Sequence, residues 1–258
     1  MKTLTNCTFK NLYQTDKDNI PKEFYNYALK NSVLYDRVSG YFSSASLAHY
    51  AIGIESLLMN NGKFRLIISH EISEFDYNQM RQGYRNRIED FENELLERVD
   101  VSALSNEQKR NFSNLAYLIE IGLVDIKIGF VHDNGLFHAK FGIFKDDFDN
   151  IVYFAGSLNE THAAFVKNFE NITVLNSWQH NRDELCEKAL EFEELWENKS
   201  NNGFVFVKSV DEIVREKIIS FSKGKIIVDS SVFEENALVL YYDNGLQLEN
   251  NLRNELDY

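Results

Sequence analysis

Apolar and polar positions along the chain change period several times, and each change marks an element. Over residues 21–30, Pro21 suits a first helical position, and Phe24, Tyr27 and Leu29 supply an apolar side, which predicts a short helix. Residues 33–42 read as a strand that ends in Gly40, Tyr41 and Phe42. Ser43 or Ser44 can cap the next helix, in which Leu47, Tyr50, Ala51, Ile54, Leu57 and Leu58 recur at helical spacing until Gly62. Residues 64–69 then form a buried strand, which completes a β-α-β unit.

Two longer helices are predicted over 77–99 and 106–121, the first crowded with charges of both signs. From residue 124 the period shortens, giving strands at 124–130, 137–144, 151–155 and 172–176, with a hairpin loop at 145–150. A charged helix follows over 181–198, and Asn201 to Gly203 mark a boundary. The remainder suggests a strand at 204–207, a helix at 211–221 and strands at 225–228 and 237–242. The expected fold is α/β, a mixed sheet flanked by helices, with one domain over 1–200 and a C-terminal α/β extension over 201–258.

Composition narrows the chemistry. A hydrophobic content of 44% is ordinary for a folded protein, but a net charge of −13 argues against a long basic footprint, so any polyanion must be held locally. Two cysteines, Cys7 and Cys186, make no disulfide framework and read as free thiols. The sequence has no run of 18 apolar residues and no apolar leader at 1–19, which points to a soluble, cytoplasmic protein that does not engage a membrane.

The informative stretch is 137–173, FHAKFGIFKDDFDNIVYFAGSLNETHAAFVKNFENIT. His138 and Lys140 are two apart on a predicted strand, so both side chains point to one face. After the next strand, Gly156 lets backbone approach a ligand closely, while Ser157 and Asn159 can donate to phosphate oxygens. Asn168 and Glu170 stand at the mouth of a further strand, from which the carboxylate can reach a histidine and hold its tautomer. This set suits phosphoryl transfer: His138 as nucleophile, with Lys140, Ser157 and Asn159 on the non-bridging oxygens. An acid to protonate the leaving oxygen is missing, because one chain offers only one such histidine.

Blander readings apply elsewhere. Tyr41 and Phe42, at a strand end, read as core more readily than as a base-stacking pair. Arg81, Arg85 and Arg87 are interleaved with acids and read as a solvated face. His132, Asp133, His138 and His162 have no metal-ligand spacing, so neither a metal nor another cofactor is expected; His162 could line the pocket or sit at the surface. Gly62-Lys63 and Gly224-Lys225 lack the rest of a nucleotide-binding loop.

The pattern HxK, GSxN and NxE resembles the phospholipase D superfamily over 137–173, and GYFS at 40–43 followed by FRLIIS resembles the N-terminal part of such domains. The resemblance implies a metal-independent phosphodiesterase with one HxK motif per chain, hence a homodimer in which two copies of His138 meet. Related domains are fused to bacterial helicases and to restriction or defence nucleases, so it further implies a nuclease, with DNA the first substrate and a helicase region on the same or another chain. The alternative is an inactive nucleic-acid-binding or regulatory module, and a lipid-directed enzyme ranks third. One departure is visible: the position five after Lys140, where the pattern has an aspartate, is Lys145, with Asp146 and Asp147 just beyond and Asp146 a weak candidate.

Overall fold

The computed structural model describes residues 3–72, 80, 83, 115–131, 136–199, 204–210, 219–221 and 225–227. In chain order its elements are β1 (Leu12–Gln14), α1 (Asn26–Leu29), β2 (Leu34–Ser39), α2 (Ala51–Met59), β3 (Lys63–Ser69), β4 (Glu71–Ile72), α3 (Leu115–Glu120), β5 (Val124–Val131), β6 (Phe141–Lys145), β7 (Ile151–Gly156), α4 (His162–Val166), β8 (Asn171–Asn176), α5 (Arg182–Trp196), β9 (Val205–Ser209), β10 (Ile219–Phe221) and β11 (Lys225–Ile227). Eight of the strands form one mixed sheet in the order β1-β8-β7-β6-β2-β3-β5-β9, and β11-β10-β4 form a second.

Strand β2 is the hub of the large sheet. It runs parallel to β3, which runs parallel to β5, because helices and long connections return the chain to the same end each time. On its other side β2 meets β6 antiparallel, and β7 and β8 continue antiparallel. The C-terminal ends of β2, β3, β5 and β7 and the N-terminal ends of β6 and β8 therefore share one edge of the sheet.

Both faces are covered. On one, Tyr35 of β2 lies between the rings of Phe64 and Phe144, each 4.4 Å away by centroid, within a core that also takes Leu29 of α1, Leu57 of α2 and Leu118 of α3. On the other, α5 buries Leu185, Ala189 and Phe192 against Val38, Ile67 and Ile143. Arg65 fixes that helix: it bonds Asp36 through two nitrogens at 2.7 and 2.8 Å, bonds Glu193 of α5, and stacks over Phe192 and Trp196.

Several elements depart from the pattern-based reading. The helix expected at 21–30 opens as a π-helical turn over Pro21–Tyr25, and the one expected after Ser43 opens as a 3-10 turn over Ser44–Tyr50. The strand expected at 137–144 begins only at Phe141, so His138 and Lys140 lie in the approach to β6. Within the stretch expected as a helix at 211–221, Ile219–Phe221 is a strand, parallel to β4. The helix at 77–99, apart from the helical Met80 and Gly83, and the strand at 237–242 lie outside the described residues. No helix among the described residues is long and apolar enough to cross a membrane.

Candidate active site

At the shared edge, the chain leaving β2 passes the chain entering β6. Gly40 makes this possible: a Cβ there would lie 2.9 Å from the His138 ring and 3.3 Å from Lys140 Nζ. The His138 and Lys140 side chains thus converge on one bare stretch of backbone. His138 is exposed, and Tyr41 meets its ring edge-on, with centroids 5.7 Å apart and planes at 79°. Lys140 Nζ donates to the His138 carbonyl at 3.0 Å. Burial holds the Lys140 ammonium below the usual lysine range, the nearby Arg37 charge adds to this, and the Glu170 carboxylate opposes both.

The GSLN turn closes the next side. Gly156 has no room for a side chain, since a Cβ would come within 2.0 Å of the Asn171 carbonyl oxygen. That contact lets Ser157 N donate to Asn171 O at 3.0 Å, while Ser157 Oγ accepts from Asn171 N at 3.1 Å and keeps its own proton to donate outward. Asn159 Oδ1 accepts from Tyr41 N at 3.1 Å, which ties the turn to the Gly40 crossing and leaves the amide NH2 to donate.

Beneath this turn lies a buried ionic network that the sequence reading missed. Arg37, 1% exposed, donates from Nε to Glu160 Oε2 at 2.7 Å and from Nη2 to the Leu158 carbonyl at 2.6 Å. Glu160, 0% exposed, also accepts from Tyr50 at 2.7 Å and from Tyr25 at 3.5 Å, and its backbone N–H donates to Ser39 Oγ at 2.8 Å. Ser43 N donates to the Glu160 carbonyl at 2.9 Å. Residues 158–160 are therefore clamped to residues 37–43, with Asn159 between two anchored neighbours. The sequence holds one signal for this: an arginine in the middle of an otherwise buried strand requires an acid, and Glu160 directly follows GSLN.

Glu170 is buried, and its Oε1 accepts from Asn168 Nδ2 at 3.2 Å. Thr15 pins it, donating to the Asn168 carbonyl at 2.8 Å and accepting from Glu170 N at 2.9 Å. No hydrogen bond joins Glu170 to His138, because β7 lies between their strands. The Glu170 charge acts on Lys140 instead.

Two further candidates are placed elsewhere. Asp146 lies past the far end of β6, roughly 25 Å along an extended chain from His138. Its carboxylate is taken up there by Thr3 Oγ1 at 2.7 Å, Leu4 N at 2.8 Å, Phe148 N at 2.9 Å and the Asn150 side chain. His162, after the Thr161 cap of α4, turns to His49, with ring nitrogens 2.7 Å apart and rings stacked at 4.9 Å. His132 and Asp133 lie outside the described residues, among which no cluster of three metal-ligating side chains occurs.

Residues 38–196 match the family model described as cardiolipin synthase, PLD-like domain, which is well over half the chain. Among curated proteins, none matches at a significant level. Of solved structures, NucT from Helicobacter pylori is similar at 14% identity and a TM-score of 0.44, over 72% of this chain and 94% of that one. The phospholipase D family member Nuc from Salmonella typhimurium is similar at 15% identity and a TM-score of 0.39, over 72% and 92%. The phosphatidylserine synthase of Haemophilus influenzae is similar at 12% identity and a TM-score of 0.43, over 97% and 48%.

Proposed function

The chain belongs to the phospholipase D-like family, and from that premise we propose that it is a metal-independent phosphodiesterase, a nuclease acting on DNA, whose complete site takes one His138 from each of two copies. The observation that carries this reading is the convergence of the His138 ring, the Lys140 ammonium and the Asn159 turn on Gly40 at an exposed edge. A phosphodiester seated there would meet a nucleophile on one side and cationic and neutral donors on the others.

In the proposed reaction the His138 imidazole attacks phosphorus. The P–N bond forms as one P–O ester bond breaks, and the departing oxygen takes a proton from the imidazolium of His138 in the second copy. That second imidazole, now neutral, accepts a proton from water as the water oxygen displaces His138 from phosphorus. The net change is one water consumed, giving a monoester and a free hydroxyl. Lys140, Ser157 and Asn159 stabilise the charge that builds on the non-bridging oxygens, and the Glu170 carboxylate opposes the lowering that burial and Arg37 impose on Lys140.

One observation favours the alternative of a non-catalytic nucleic-acid-binding module: Asp146, the candidate for the family's aspartate, serves the far end of β6. Hydrolysis of bis(p-nitrophenyl) phosphate and of single- and double-stranded DNA with EDTA present decides between the two. Wild type should retain turnover in EDTA, and His138→Ala should lose at least about a hundredfold, with an unchanged melting curve. DNA retention without cleavage by the wild type would leave the binding module; cleavage retained by His138→Ala would remove the histidine from its role.

A further inference from the structure

The GSLN turn holds a donor that the proposed reaction does not use. Of its backbone N–H groups, Gly156 donates to the Lys140 carbonyl at 3.4 Å and Ser157 to the Asn171 carbonyl at 3.0 Å. Glu160, the next residue along, donates to Ser39 Oγ at 2.8 Å. Among the described residues, neither Leu158 N nor Asn159 N meets an acceptor.

The direction of the Asn159 N–H follows from its own peptide group. The peptide is trans, so the Leu158 carbonyl and the Asn159 N–H, which share one planar unit, point opposite ways. Arg37, itself 1% exposed, donates from Nη2 to that carbonyl at 2.6 Å and so turns it into the core. The N–H on the far side of the plane therefore points out of the core, on a residue whose side chain already meets Tyr41 beside Gly40. Arg37 pairs in register with Gly142, two residues beyond Lys140, and its charge acts on that lysine, so the guanidinium lies beneath the edge where a phosphate would sit.

The guanidinium does more than orient. A charge-assisted bond to the carbonyl oxygen draws electron density through the conjugated peptide and leaves its N–H a stronger donor. Glu160, 0% exposed, holds the arginine in place by accepting from Nε and from the Tyr50 hydroxyl, each at 2.7 Å. A buried ion pair adds little stability over apolar side chains of similar size, so orientation is what this one contributes. A fixed neutral donor of this kind suits a group whose negative charge grows during reaction.

We propose that the Asn159 backbone N–H donates to a non-bridging oxygen of the reacting phosphoryl group, and that Arg37 and Glu160 are the positioning residues that aim it. This rests on the reading of His138 as the site of phosphodiester chemistry. The direct test replaces Asn159 in the full chain with its α-hydroxy analogue, which keeps the side chain and exchanges the N–H for an ester oxygen. Because that N–H has no partner among the described residues, the melting temperature should stay near that of wild type. Hydrolysis of bis(p-nitrophenyl) phosphate should lose about a hundredfold in kcat, with KM unchanged. Arg37→Met combined with Glu160→Gln, which removes both charges together, should fold and lose at least about tenfold in kcat, again at unchanged KM. A second readout needs no turnover: with isotope-labelled asparagine, the Asn159 amide proton of the wild type should move downfield when inorganic tungstate is added in EDTA, and move less in the double variant.

An ester-containing chain with wild-type kcat overturns the donor, as does an amide that tungstate leaves unmoved. A loss of kcat matched by an equal loss of folded protein also overturns it, by assigning the N–H to the fold. Undiminished kcat in the double variant overturns the part given to Arg37 and Glu160. Should that variant fail to fold, Arg37→Lys takes its place; it keeps the charge without the planar fork, so kcat should fall, and an unchanged kcat overturns. An inert wild type whose Asn159 amide still answers tungstate would sink the catalytic reading without touching the donor.

Discussion

Individual residues differ sharply in how openly the sequence declares them. His138, Lys140, Ser157 and Asn159 stand out as candidates because their chemistry and spacing coincide; the structure brings His138 and Lys140 to Gly40, ties Asn159 to Tyr41 beside it and sets Ser157 against Asn171. Asp146 was the misleading one: a strand-end aspartate beside Asn150 is also what a tight turn uses, and its four partners show that use. Although burial disfavours its charge, hydrogen bonds from Asn150, Thr3 and the Leu4 backbone hold its carboxyl below the usual range. A lowered native value means stability that is present above the unfolded value near pH 4 and lost as pH falls through the native one. Asp146→Asn should therefore cost about 1–2 kcal/mol in urea denaturation at pH 7, with the deficit shrinking below pH 4 and diesterase turnover intact. Gly156 should behave in the opposite way. Because an added methyl meets backbone 2.0 Å away, Gly156→Ala should lower stability by about 1–3 kcal/mol and also cut turnover by displacing the GSLN turn, as read by parallel denaturation and kinetic curves.

Elements were legible wherever they bury a continuous apolar run. The strands centred on Tyr35, Leu66, Ile126 and Phe154 fall where periodicity placed them, since each is covered on both faces, and the one centred on Val174 does so through its alternation of buried and more exposed positions. Short pieces held by a single neighbour were not: β1 has three residues, of which Tyr13 alone is buried, and it exists through its pairing with β8. The start of β6 was misjudged for a related reason, since apolar Phe137 extends the strand pattern while Gly40 draws residues 138–140 out of the ladder. Helix α5 shows the converse, a charged helix correctly expected whose anchoring was invisible. Arg65→Ala would leave Asp36 buried without a partner and detach Glu193, at a cost of about 3 kcal/mol. As Arg65 and Asp36 pair in the first half of β3 and β2, away from the edge that carries Gly40, the remaining folded fraction should turn over normally, which a comparison of melting temperature with active-site-normalised rate will check.

For the whole molecule, what the sequence could not convey is how far apart in the chain the pieces of the edge lie: Gly40, His138, Asn159 and Glu170 come from four different strand ends. Pattern reading places each piece on an element, whereas the sheet order that unites them is a product of long-range pairing. A site with one histidine per chain also makes a statement about assembly. Sedimentation equilibrium should give twice the 30.1 kDa chain mass, and specific activity should fall on dilution below the dimer dissociation constant. A strictly monomeric species with undiminished activity per chain would overturn the two-histidine mechanism.

The sheet order also sets a sequence in time. β2 leaves the ribosome more than a hundred residues ahead of its neighbour β6 and of Glu160, the partner of Arg37. Until then the nascent chain carries an unpaired arginine in a strand that is not yet walled in, and none of the groups that would grip a phosphate has a fixed place. If the proposed reaction holds, a protein built this way is inert throughout its own synthesis, since no copy can offer its half of the site before β8 has joined β7 and β1.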